Sequence, residues 1–312
     1  MKYCINQITP FDKIWYRDCI YHAILSGISA FGIDGSAFFC QNIYQCFMEN
    51  DQIKIRMPYR KDMDETLNSV GVYRKKIYVS GSEKNQIIEE LKSGHPVIIP
   101  VDKFDLPLNK DTYGKLHVKH YVLVYGIDTD ENIFYIVENK YQNSYKFSEK
   151  VIQISELLNA QTGFFREFEK EEKIYYFSLE KGKTGVKSNR KQFQEEMYRH
   201  LKETESEKEK ELCCISQFRK QVERVSWEKE QLESWITMCN DIIVNRKLQF
   251  FAIKELLGDS YEYDLNKYKK ITKKWESIRL ILSRCIFQMK IDESVGQVVK
   301  MLYEIESIER KN

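Results

Sequence analysis

The sequence has no run of 18 or more uncharged apolar residues, no Gly-rich phosphate loop, no CxxC pair and no large excess of either charge. Each absence removes a class of protein. Without the apolar run there is no candidate transmembrane helix, and the start, MKYCINQITPFDK, lacks the apolar stretch of a secretory signal. A cytoplasmic chain with no membrane contact is therefore expected. The net charge of +2, with no basic-aromatic pattern, gives no footprint for nucleic acid. Missing phosphate loops argue against a nucleotide-driven enzyme. No repeat of the 34-residue kind is present. Eight cysteines, at 4, 19, 40, 46, 213, 214, 239 and 285, sit mostly inside apolar helical patterns, so reduced thiols rather than disulfides are expected.

What is present is enough apolar and aromatic residue, 42% and 13%, to build a real core, in a length that suggests about two domains. The first 180 residues hold 22 Lys and Arg against 25 Asp and Glu; the remainder holds 27 against 22, which makes it the basic part. Apolar residues Ile20, Ala23, Ile24, Gly27, Ile28 and Phe31 recur at three- and four-residue spacings, predicting a helix from Asp18, its N-cap, to Gly32. A second helix is predicted over 36–47. Strands are predicted at 70–81 and 95–102 with a helix at 82–94 between them. The runs 120–128 and 132–140, split by a turn, read as a hairpin. A short helix near 155–160 and a strand at 173–179 complete an α+β unit. The polar segment 180–191 reads as a linker, and the proline-free stretch that follows has helical period throughout. The expected organisation is a catalytic domain over 1–180 and an α-helical bundle over 181–312.

Cys19 opens the first helix, where unpaired backbone N–H groups and the helix dipole favour a thiolate and offer donors for an oxyanion. A cysteine nucleophile also needs a base and a group that orients the base. His120 starts one strand of the hairpin and Glu138-Asn139 end the other, so antiparallel pairing brings them together, with either Glu138 or Asn139 as orienter. His117 is the rival base; residues three apart on a strand face opposite ways, so only one of the two can face Cys19. His22 lies one turn after Cys19 and, like His117, is a candidate substrate-binding residue. No metal is expected, because HVKH on a strand does not converge its histidines on one ion. Asp102 and Tyr113 precede His117 and are candidates to recognise an amine, Asp102 by charge and Tyr113 as an aromatic wall.

The order of a Cys at a helix start, then HPVIIPVDKFDLP-x5-Y-x6-H, then H-x5-G before a strand ending in an acid, resembles the butirosin-H type of the papain-like C39 superfamily. The resemblance spans about residues 10–180. It implies a papain-like fold, a helical lobe against an antiparallel sheet, with Cys19, His120 and Glu138 at the family's Cys, His and Asp positions. Two departures stand out: Glu replaces the usual Asp, and Lys13 stands where C39 peptidases carry a glutamine for the oxyanion hole. Members take acyl groups from carrier-protein thioesters and place them on amines in antibiotic assembly; the cysteine-dependent amide synthases of closthioamide-like pathways are a related group.

The resemblance thus implies an acyltransferase or amide synthase with no cofactor of its own, whose donor is a phosphopantetheinyl thioester on an acyl or peptidyl carrier protein and whose acceptor is a small amine. The basic C-terminal part is the candidate dock for an acidic carrier. It is also a surface through which two copies could pair. A cysteine hydrolase, peptidase or thioesterase, with water in place of the amine, shares the same residues. An inactive papain-like scaffold that binds a partner is the non-enzymatic reading.

Overall fold

The computed structural model describes residues 1–13, 17–78, 83–140, 146–168, 174–182, 190–224, 227–288 and 292–310. The chain divides into two compact units, the first made of Met1–Gly35 and Asp62–Ser188, the second of Ser36–Lys61 and Asn189–Asn312. The first unit is α+β with an antiparallel sheet. Its elements in chain order are β1 (Lys2–Cys4) and α1 (Cys19–Ile28), and its later ones begin after the second unit has received α2 (Ser36–Phe39), β2 (Gln45–Glu49) and β3 (Gln52–Arg56). Then come α3 (Met63–Ser69), β4 (Val72–Tyr78), α4 (Glu83–Lys92), β5 (Val97–Asp102), β6 (Lys119–Asp128), β7 (Ile133–Asn139), β8 (Phe147–Gln153), α5 (Ile154–Glu167) and β9 (Ile174–Lys181).

The sheet runs β4-β9-β5-β6-β7-β8, with β1 also on β6. A strand has two edges. Because β7 holds one edge of β6 and β5 covers the other only as far as Val124, β1 takes the remaining stretch, Gly126 to Asp128, beyond the end of β5. Gly126 is what lets it approach: a Cβ there would lie 2.7 Å from the Tyr3 carbonyl oxygen. The H-x5-G spacing thus records strand packing.

The predicted hairpin is β6-β7, with Leu123 opposite Val137 and Val124 opposite Ile136. Helix α1 lies against β5 and β6. Its Ile24 and Ile28 are fully buried, each worth about 2 kcal/mol of apolar burial. Gly27 makes the close contact, since a Cβ there would meet Leu179 Cδ1 at 2.6 Å and Leu123 Cδ1 at 3.3 Å. Val122 and Val124, flanking Leu123, join a core cluster with Ile87 and Leu91 of α4 and Leu157 and Ala160 of α5. A 3-10 turn, Ser29–Phe31, ends α1 at Gly32, whose φ of 70° is the left-handed conformation anticipated for it. Asp18 stands at the N-cap with extended backbone but without a side-chain cap bond.

The segment 36–61 departs from expectation twice. Its helix is one short turn, α2, and the rest is the β2-β3 hairpin, closed at Asn50 and Asp51, both with positive φ as a tight two-residue turn requires. The dense apolar run offered matches to a helical period, while the Asn-Asp turn and the β-branched alternation in QIKIR carried the strand signal. The hairpin also groups with the helical unit, so the boundary expected near 180 does not describe the division. Tyr44, Cys46 and Ile53 are buried in one cluster with Phe218, Trp235, Trp275 and Leu302.

The second unit is completed by α6 (Arg190–Glu205), α7 (Lys208–Arg224), α8 (Lys229–Leu257), α9 (Glu262–Gln288) and α10 (Asp292–Arg310), with a 3-10 turn, Gly258–Tyr261, where Gly258 breaks the helical run. Most of the predicted linker, 183–189, lies outside the described residues. No described helix is long and apolar enough to cross a membrane.

Candidate active site

Three elements bring the site together. Arg17, with φ of 54°, turns the chain, Asp18 is extended, and Cys19 begins α1, so its thiol sits at the end of the helix where backbone N–H groups are unspent. His120 is the second residue of β6 and is 2% exposed; Glu138 is the penultimate residue of β7 and is fully buried. His120 Nε2 pairs with Glu138 Oε2 at 2.8 Å, while Glu138 Oε1 accepts the Asn139 backbone N–H at 2.8 Å. Each carboxylate oxygen therefore has a partner, which a buried charge requires. His120 also hydrogen-bonds Cys19, and with Nε2 engaged the nitrogen left for the thiol is Nδ1.

The electrostatics follow from this chain of contacts. Burial by itself would lift the Cys19 thiol, but the charge and hydrogen bond of His120, a hydrogen bond from the Tyr121 backbone N–H and the charge of Lys103 hold it below the ordinary thiol range. Burial depresses the His120 imidazolium, yet the facing charges of Glu138 and Cys19 raise it to about 9. Burial also opposes the Glu138 charge, and His120 and Lys103 overcome it, keeping the carboxyl well below its usual range. Thiolate and imidazolium therefore stabilise each other, and that pair is favoured over a thiol beside a neutral imidazole. By contrast, burial pushes the thiols of Cys4, Cys40, Cys46, Cys214 and Cys239 up. None of the eight cysteines forms a disulfide.

The other predicted residues separate from this core in instructive ways. Asn139 does not orient His120: its side-chain Oδ1 accepts from Lys103 Nζ at 3.2 Å. Asp102 is fully buried and has no oxygen to spare for an amine, since Oδ1 accepts the N–H groups of Phe104 and Val118 and Oδ2 meets His117 Nδ1. It is the anchor that closes the loop 103–118. His117 precedes β6, so strand alternation does not govern it; it is half exposed, stacked on Phe104 at 4.2 Å, and its hydrogen bond to Asp102 raises its pKa. Tyr113 is 49% exposed on the same loop. Among the described residues, no hydrogen bond or ring contact joins Asp102, Tyr113 or His117 to Cys19.

His22 is buried, stacked on Phe147 at 4.4 Å with Nδ1 3.3 Å from the Phe11 carbonyl, and burial followed by the nearby His120 lowers it to about 4. It is a neutral wall beside His120. Lys13 is exposed. Sequence reasoning missed Lys103, whose charge acts on both Cys19 and Glu138, and the Tyr121 N–H. Lys103 follows Asp102 directly, and the sole hint was a basic residue at the end of a buried strand.

The first unit is thus an α+β assembly in which a helix-start cysteine, a strand-start histidine and a buried carboxylate form one connected constellation. Residues 21–139, just over a third of the chain, match the family described as Butirosin biosynthesis protein H, N-terminal. This bears out the resemblance drawn from the sequence over that stretch, which includes His120, Glu138 and the Asp102 loop and begins two residues after Cys19. No curated protein matches the chain.

Proposed function

We propose that the protein is a biosynthetic enzyme of an antibiotic or related secondary-metabolite pathway, a papain-like acyltransferase that forms an amide through an acyl group carried on Cys19. The observation that carries this reading is the Cys19-His120-Glu138 constellation, a thiolate and imidazolium pair at a helix start with a buried carboxylate behind the imidazole. The donor is an acyl thioester on a carrier protein. The Cys19 thiolate attacks its carbonyl, with backbone N–H groups at the start of α1 receiving the oxyanion. The carrier thiolate leaves and takes the proton held by His120, so the acyl-enzyme faces a neutral imidazole. An amine then attacks the acyl-Cys19 carbonyl and gives a proton to His120. Release of the amide regenerates the thiolate and imidazolium, and no proton or electron is left over.

A thioester already holds the energy for an amide bond, which fits a sequence without a nucleotide-binding loop. The excess of basic residues after position 180 suits an acidic carrier protein. The test is to incubate the full chain with an acylated carrier protein and weigh the intact protein. Wild type gains the acyl mass; Cys19→Ala does not, and an acylated Cys19→Ala would overturn the mechanism. Adding a panel of amines then yields amide, whereas release of free acid alone would make the enzyme a hydrolase.

A further inference from the structure

Buried charge gathers in one further place, wholly within the helical unit. A cavity of about 250 Å³ lies among α6, α7, α8, α9 and α10. On its wall Arg246, 3% exposed, donates from Nη2 to Glu211 and to Glu309, each at 2.6 Å, and its guanidinium lies over the rings of Tyr44 and Tyr268 at 4.9 and 5.3 Å. Three wall residues, each buried, retain a buried polar atom with no protein partner: Arg246 Nε, the Tyr44 hydroxyl and Gln249 Oε1. An unmet donor or acceptor in such a place costs about 1–3 kcal/mol, and these three atoms, closed off beside the cavity, are ones that a small side-chain turn would bring to an occupant.

The sign of that occupant follows from the charges. Lys267 meets Glu309 at 3.1 Å, and Lys208 stands against Lys267, like charge beside like. With Lys202 the wall carries four cations against the carboxylates of Glu205, Glu211 and Glu309. Burial, and then the charge of Glu309, work against the Glu211 carboxylate, which Arg246 meets at 2.6 Å, and four cations against three carboxylates leave the wall one positive charge in excess. A cationic ligand would add to that excess. The size lies just below the range of cavities that hold drug-sized ligands, which leaves a metabolite-sized molecule.

We propose that this cavity is a binding site for a small organic oxyanion, a carboxylate or a phosphate ester, with Lys208, Lys267 and Arg246 as its counter-charges and Tyr44 and Gln249 as its hydrogen-bond partners. None of its walls comes from the first unit, so the site stands independently of the reading given to Cys19.

The full chain is to be melted at pH 7 and constant ionic strength with inorganic phosphate, benzoate or spermidine against a chloride reference, following tryptophan fluorescence; Trp227, Trp235 and Trp275, three of the four tryptophans, lie in the core of this unit. The expected result is a saturable rise in melting temperature with phosphate or benzoate, and which of the two is preferred tells phosphate ester from carboxylate. Lys208→Gln, folded by the same melt, weakens the apparent affinity about tenfold, while Lys210→Gln, exposed and outside the cavity, leaves it unchanged. Should Lys208→Gln fail to fold, the exposed wall residue substitution Lys202→Gln shows the weaker loss. No saturable effect with either oxyanion, an equal effect in the cavity variants and wild type, or stabilisation by spermidine instead overturns the proposal.

Discussion

At the scale of single residues, the candidate nucleophile, base and orienter were legible because each marks the end of an element: a helix start, a strand start and a strand end. Helical period and hairpin pairing are local signals, and they sufficed to bring Cys19, His120 and Glu138 together. The choice between Glu138 and Asn139 was not legible, since adjacent strand residues differ only in which way they face, and that depends on the register of β7. Asp102 was misread for a related reason. A carboxylate at a loop start looks the same in sequence whether it meets a ligand or, as here, caps its own loop through two backbone N–H groups.

The assignment of Glu138 predicts that Glu138→Gln, which keeps the shape and removes the charge, lets the imidazolium of His120 fall back and the Cys19 thiol rise. Alkylation of Cys19 by iodoacetamide near pH 7, read by peptide mass, slows about tenfold for each pKa unit lost, and its pH profile moves to higher pH. Asn139→Ala, which removes a partner of Lys103 and leaves the Glu138 carboxylate in place, has a much smaller effect. Equal slowing by the two substitutions would show that Glu138 has no special place. In wild type the sign is fixed by the shifts: the reactive pair builds up below the usual thiol range and loses its imidazolium as pH passes about 9.

At the scale of elements, α1 serves the site only while it lies close against β6, and Gly27 sets that distance. Gly27→Val overpacks against Leu123 and Leu179, for a stability loss of about 1–3 kcal/mol. It also pushes α1 away from the sheet, so Cys19 alkylation at pH 7 falls even at temperatures where the protein remains fully folded. A variant that lost stability but kept wild-type Cys19 reactivity would show that the helix start is held by other contacts. The predicted α1, β4, α4, β5, β6, β7 and β9 match observed elements within a few residues, and α5 runs longer than expected. The elements not anticipated, β1, β2, β3, α3 and β8, are short or polar-rich, and short strands owe their existence to the partners they pair with.

At the scale of the whole molecule, composition separated an α+β half from a helical half correctly, because period and proline content change along the chain. It did not reveal that 36–61 belongs with the helices, since membership of a core is a nonlocal property. A chain ending at Ser188 therefore keeps Tyr44, Cys46 and Ile53 without the α7, α8, α9 and α10 side chains that bury them. It is expected to aggregate or to bind a hydrophobic dye strongly, with cleavage by trypsin concentrated in 36–61. A monodisperse, protease-resistant 1–188 would refute the discontinuous division.

The discontinuity also imposes an order on synthesis. A ribosome delivers the β2-β3 hairpin more than a hundred residues before the helices that cover it, so the nascent chain carries an uncovered apolar hairpin while the sheet of the first unit is already free to close. Folding of the unit that carries Cys19 can finish first; the helical unit waits for the last helix, with its earliest piece exposed all the while. For recombinant production this places the risk in translation itself, and slower elongation through 62–188 would lengthen the exposure.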